Sequence, residues 1–235
     1  MEQIQMFCLP FAGGNKYSFG EYERFAPEFV EVIPVELPGR GSRADEALLT
    51  NIYDLAEDVF FSIKNKLDKP YILYGHSMGG LLAYLTAKLI IKNFSSEPLH
   101  MFITGCTAPS TRDKSYLHLL SKEDFIKKLK ELGGCPEEIL NNGDILDFFE
   151  PIIKADFQAV ESFEYQQTTP FDIPLTLMFG MSEKVTQSEM REWQKETTRS
   201  IDIIQMPGDH FFINQFGFQI IKVIARKISN QLQKL

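Results

Sequence analysis

Gly75, Ser77 and Gly79 stand at G-x-S-x-G spacing where the apolar run YILYG ends, in YILYGHSMGG. A serine hydroxyl is a weak nucleophile until a turn holds it out and a base takes its proton. Glycine is used where a side chain would collide or φ is unusual, so the stretch reads as a forced turn presenting Ser77. A strand before it and a helix after it are the context of a nucleophile elbow. Four histidines are available as base. His76 adjoins the serine, but neighbours on a tight turn point apart, so it is expected to pack or bond locally. His100 opens a strand and His118 falls in a helical stretch; both read as surface or packing residues. His210, in MPGDHFF, follows the last strand run and precedes the last helix. It satisfies the chain order serine, acid, histidine. The acid belongs between them at another strand end. Glu183 is the first carboxylate after LTLMFG. Asp172 precedes that strand, Asp202 starts the next, and Asp209 adjoins His210, where its side chain is poorly aimed at the imidazole. Glu183 is therefore the expected partner, with a solvated loop glutamate as the alternative.

Attack on a carbonyl also needs donors for the oxyanion. Met78, directly after the serine, offers one backbone N–H, and the second comes from the loop after the first strand. That loop is LPFAGGNKYSF, which puts the second donor at Phe11 or Ala12; Gly13 and Gly14 allow backbone to approach a substrate. LPGRGSR (37–43) is a further glycine-rich loop. It lacks the Lys-Ser/Thr ending and following helix of a phosphate loop, and reads as a turn bordering the site, with no role assigned to Arg40 or Arg43.

These residues need a scaffold that brings strand ends together. Six short apolar runs are candidate strands: 4–9, 31–37, 71–75, 100–105, 175–180 and 201–206. Each is nearly continuously apolar, as strands covered on both faces are. Helical patterns alternate with them at 50–66, 78–92, 188–198 and 215–233. Such alternation implies crossovers, hence an α/β domain with a mostly parallel central sheet flanked by helices, whose ligands bind at the carboxyl ends of the strands. One region breaks the alternation. Residues 111–170 show no strand pattern and read as a helical lid inserted in the single domain 1–235. LSKEDFIKKLKELGG opens with Ser121 and Asp124 at cap spacing, carries Phe125, Leu129 and Leu132, and stops at Gly133. FFEPIIKADFQAVESFEY continues with Phe149, Ile152, Ile153, Phe157, Val160 and Phe163. The alternative is an ordinary helical subdomain.

Composition bounds the function. The chain has 235 residues, 44% hydrophobic and 24% charged, enough for one full core. With a net charge of −8 and no basic run, nucleic acid is excluded as an expected partner. No apolar stretch reaches membrane-spanning length, and MEQIQMFCLP lacks a basic start and cleavage site. Cys8, Cys106 and Cys135 have no metal-type spacing and read as free thiols. The expected setting is the cytoplasm.

The motifs FCLPFAGGNKYSF, VELPGRGSR, YGHSMGG, LLSKEDFIKKLKELGGCPEEIL, PIIKADFQAVESFEY and PGDHFFI occur in that order along nearly the whole chain. Together they resemble the external, type II thioesterases that accompany nonribosomal peptide and polyketide synthetases. The resemblance implies an α/β-hydrolase fold with a mobile helical lid. It also implies hydrolysis of acyl or aminoacyl thioesters from the phosphopantetheine arm of acyl or peptidyl carrier domains, to clear wrong groups from an assembly line. No metal or soluble cofactor is implied, and the expected state is a monomer. Ser77 and His210 match the family pattern; Glu183 stands where the family usually has Asp, and Lys154 where Arg is expected. Two rivals remain: a medium-chain acyl thioesterase or general esterase with the same triad, and a non-catalytic binding protein on the same scaffold.

Overall fold

Alternation along the strands decides which helix covers which face. A computed structural model of the chain describes residues 3–94, 96–112, 115–133 and 142–233. Its strands are β1 (Ile4–Leu9), β2 (Val30–Pro34), β3 (Tyr71–His76), β4 (Met101–Thr104), β5 (Leu175–Gly180) and β6 (Ile201–Met206). All pair in parallel, in the order β2-β1-β3-β4-β5-β6. Phe7, Leu9, Tyr71 and Leu73 point into one core with α2 (Ile52–Ile63) and α3 (Met78–Asn93). Met6, Cys8, Ile72 and Tyr74 point into the other, under α1 (Gly20–Phe25) and the last helix, Gly217–Leu232. Both faces of the sheet are thus dry, which is why its strands lack polar alternation.

Local signals set the element ends. Asn51 caps α2 by accepting the Tyr53 N–H, as a short polar side chain at that position does. The strand expected at 31–37 is Val30–Pro34; Val35 still donates to Cys8 O at 2.9 Å, so the N–H that Pro34 lacks would have faced the open edge of the sheet, where it costs no ladder bond. His100 lies just outside β4 and is buried, with Nε2 2.8 Å from Thr176 Oγ1. The helix expected over 188–198 is a short Gln187–Arg191 segment followed by a 3₁₀ turn, Glu192–Lys195, that seats Trp193 in the core. The insertion carries α4 (Lys122–Leu132), capped by Ser121, and α5 (Gly143–Glu161); its residues 134–141, with Cys135, lie outside the described residues. Among the described residues the two remaining α-helices, in chain order, are α6 (Gln187–Arg191) and α7 (Gly217–Leu232). Cys8 and Cys106 are buried free thiols. Among the described residues no helix is long and apolar enough to cross a membrane.

Strand order reverses between β1 and β3: the chain first adds β2 on one side, then β3 to β6 on the other. Such a switch point leaves a crevice at the carboxyl ends. Leu9 and Gly75 are register partners, so the loop after β1 and the turn after β3 leave the sheet side by side.

Candidate active site

Ser77 is the residue at which strand becomes helix. Its φ of 55° and ψ of −113° lie where non-glycine residues are rarely found, a strain of about 1–3 kcal/mol that surrounding structure must hold. Its N–H donates to Thr104 O at 2.8 Å. The two glycines serve close approach, not unusual φ. A Cβ on Gly79 would lie 2.0 Å from Leu9 O, and one on Gly75 would lie 2.0 Å from Gly79 O. Only without those side chains can α3 start this close to β1 and β3.

His210 and Glu183 arrive from neighbouring strand ends. After β5 and β6 the two loops run together: Met181 N–H donates to Met206 O at 2.8 Å and Ser182 N–H to Gly208 O at 2.9 Å. That pairing sets Glu183 Oε1 on His210 Nδ1. The second carboxylate oxygen accepts the Gly180 N–H at 2.8 Å, so both oxygens are placed, and the Glu183 side chain is 4% exposed. The rejected acids go elsewhere. Asp209 is exposed and accepts the Phe211 N–H. Asp172 pairs with Arg199 and Asp202 with Lys227 at the surface.

Behind His210 stands His76, their rings 4.8 Å apart and tilted by 41°. His76 is fully buried, and its Nδ1 meets Thr104 Oγ1 at 3.0 Å. A chain of hydroxyls continues through Tyr74 to Tyr22. Burial first, and the charge of His210 second, hold the His76 imidazole well below its usual range. It is therefore neutral at pH 7 and puts no competing charge behind His210.

Ser77 and His210 line one cavity of about 510 Å³. The Ser77 hydroxyl has no partner among the described residues; such contacts often close only when substrate is present. Phe11, Ala12 and Met78 line the same cavity, and among the described residues their backbone N–H groups have no acceptor. Free donors beside a serine at a helix N-terminus suit a developing negative charge. The arrangement can perform acyl transfer through a serine ester. The far wall is apolar and comes from the insertion: Leu129, Leu132, Phe149, Ile153 and Phe157 all face it. α4 and α5 meet over a small core of their own, Phe125, Leu129 and Ile153, apart from the two sheet cores. The end of the insertion is different, because Ala159 and Phe163 belong to the main core.

Sequence reasoning left Arg40 without a role and passed over Asp156. The structure joins them in a buried two-pronged ion pair, both contacts at 2.6 Å. The readable signal was a carboxylate at helical spacing between Ile152, Ile153, Ala159 and Val160, on the face meant for the core. Arg43 clamps Glu46 and Asp58. His118, expected at the surface or in packing, bonds through Nδ1 to Glu161, which also accepts the Leu117 N–H at 2.6 Å. Lys154, at the position where Arg was expected, donates to Leu120 O at 3.1 Å and pairs with Glu150.

Residues 4–232 match the thioesterase domain family. The chain is 33% identical over 228 residues to the gramicidin S biosynthesis protein GrsT of Aneurinibacillus migulanus, covering 96% of this chain and 89% of that one. It is 29% identical over 214 residues to the medium-chain S-acyl fatty acid synthase thioesterase of Rattus norvegicus, covering 89% of this chain and 81% of that one. It superposes on RedJ, a thioesterase from the prodiginine biosynthetic pathway of Streptomyces coelicolor, with a TM-score of 0.87 and 30% identity, over 96% of this chain and 90% of that one.

Proposed function

The chain belongs to the thioesterase domain family and is a thioester hydrolase of α/β-hydrolase fold; from that premise we propose that it clears acyl or aminoacyl groups from the phosphopantetheine arm of carrier domains in nonribosomal peptide or polyketide assembly. The observation that carries the reading is that Ser77 and the Glu183-paired His210 line one cavity together with Phe11, Ala12 and Met78, whose N–H groups have no acceptor among the described residues. Relatives named for gramicidin S and prodiginine biosynthesis support the substrate class.

In this mechanism Ser77 Oγ attacks the thioester carbonyl carbon while His210 Nε2 takes the hydroxyl proton. Glu183 holds Nδ1–H and stabilises the imidazolium. Met78 N–H and a donor at Phe11 or Ala12 take the oxyanion, each contributing on the order of 3 kcal/mol. The C–S bond breaks, the thiol leaves with the proton from His210, and water then repeats the sequence on the serine ester. The chemistry calls for no metal or soluble cofactor, because the pantetheine arm belongs to the partner. α4 and the first half of α5 act as a lid over the acyl group.

The test compares one acyl group on a carrier protein, on coenzyme A and as a free oxygen ester. Preference for the carrier by kcat/KM supports the reading. Equal rates on carrier and coenzyme A with rising rate for longer chains favour the medium-chain alternative. A wild-type protein that hydrolyses none of them and leaves Ser77 unlabelled by a fluorophosphonate is a binding protein on a hydrolase scaffold.

A further inference from the structure

Asp156 takes no part in the chemistry above, yet it is fully buried under the insertion and reaches the loop that supplies oxyanion donors. Burying a carboxylate is costly, and apolar residues of similar volume often stabilise a fold as well or better than a buried ion pair. What the charges supply here is geometry. Asp156 Oδ2 accepts the Gly13 N–H at 2.7 Å. Arg40, held by both oxygens of Asp156, donates to Gly14 O at 3.2 Å and Pro38 O at 3.4 Å. Residues 11–14 form a tight turn closed by Gly14 N–H to Phe11 O at 2.8 Å. Gly13 has a φ of +79° and Ala12 is not among the positive-φ residues, the signature of a type II turn.

Type I and type II turns differ by a half-turn flip of their central peptide. Here that peptide joins Ala12 to Gly13, and its N–H is the one Asp156 accepts. A peptide is planar, with N–H and C=O opposed, so holding the Gly13 N–H also holds the Ala12 carbonyl on the other side. We propose that the Asp156–Arg40 pair is a positioning device that locks the Ala12–Gly13 peptide in one of two orientations, keeps the Ala12 carbonyl from swinging round, and so fixes the turn that carries the Phe11 and Ala12 N–H groups at the cavity. Because Asp156 sits on α5, the insertion is wired to the hole as well as covering it. Ile153, one helical turn earlier, packs against Gly13: a Cβ there would lie 2.8 Å from Ile153 Cγ1.

This inference rests on the serine thioesterase reading, and its test separates the two. A small acyl thioester of N-acetylcysteamine avoids any effect on carrier docking. Each protein is assayed for kcat and KM, for affinity toward a trifluoromethyl ketone that adds Ser77 covalently, for affinity toward an uncleavable amide analogue, and for Tm. Asp156→Ala removes the Gly13 acceptor and should lower kcat by about 100- to 1,000-fold, the scale of losing one oxyanion donor. KM and amide affinity should stay within about threefold, while trifluoromethyl ketone affinity falls in step with kcat/KM. Arg40→Lys should fall between wild type and Asp156→Ala. If Asp156→Ala fails to fold, the double variant Arg40→Met with Asp156→Leu decides. Its apolar pair should keep Tm within about 4 °C of wild type, with kcat as low as expected for Asp156→Ala, because the Gly13 acceptor is gone in both. A double variant that regains wild-type kcat, or trifluoromethyl ketone affinity that stays constant while kcat falls, would show a merely structural ion pair. A wild-type protein that neither cleaves the thioester nor forms the adduct would remove the thioesterase reading itself, and with it the chemistry the loop serves.

Discussion

Replacing Glu183 by Gln keeps shape and removes one charge, and the surrounding hydrogen bonds dictate how the amide must sit. Gly180 N–H lies 2.8 Å from Glu183 Oε2 and can only donate, so the amide oxygen must face it. The amide NH₂ is then left against His210 Nδ1, where the carboxylate oxygen had been. An NH₂ there favours the tautomer with a bare Nδ1 and a proton on Nε2. That Nε2 cannot take the Ser77 proton, and no charge balances the imidazolium. Amide replacement of a triad acid supports a loss of about 10²- to 10⁴-fold in kcat, or about 3–5 kcal/mol of barrier. Glu183→Asp restores charge with shorter reach; it can satisfy Gly180 or His210 but not both, and should recover part of the loss. Asp209→Asn should change kcat by less than about threefold, since Asp209 faces solvent and among the described residues its side chain accepts only the Phe211 N–H. The assay is steady-state hydrolysis of an acyl-carrier and an N-acetylcysteamine thioester, with Tm as a control on folding. A Glu183→Gln enzyme within about threefold of wild type, or an Asp209→Asn enzyme with the severe loss, refutes this assignment.

Ser77→Ala should abolish hydrolysis while leaving the circular dichroism spectrum unchanged; residual activity above about a thousandth of wild type would point to another nucleophile. α4 and the first half of α5 should exchange backbone hydrogens faster than β3 and respond to a carrier domain, as a lid on its own small core must; exchange as slow as that of β3 with and without carrier means a rigid subdomain. Burial pushes the buried His100 imidazole down to about 4. Because this folded value lies below the unfolded one of about 6.5, the unfolded chain takes the proton first as pH falls. The stability is whole above about pH 6.5 and is lost as pH drops toward 4, by about 2 kcal/mol at pH 5 from this group; His76 is shifted in the same direction. Urea unfolding at pH 7.5 and 5.0 should show a smaller pH loss in His100→Gln than in wild type, and equal losses would exclude His100 as the source.

The elbow was legible because strand, turn and helix are contiguous: an apolar run, two glycines around one serine, then a helical stripe. His210 was legible for a similar reason, as it follows the last apolar run directly. These are short-range features, written in the backbone preferences and hydrophobic period of a few neighbouring residues. Glu183 was readable only through chain order. Which of it, Asp172, Asp202 and Asp209 meets His210 is set by the β5 and β6 loops, which pair through Met181 and Ser182 after the strands end. The use of the two glycines was settled by the third dimension as well, since Gly79 faces the Leu9 carbonyl of a strand some seventy residues earlier. Arg40 and Asp156 stand 116 residues apart. No local period names a partner at that distance. Their pairing follows from the strand order, which brings the loops after β1 and β2 together beneath α5. The penalty on a lone buried charge then leaves Asp156 no arrangement other than meeting its guanidinium and the Gly13 N–H.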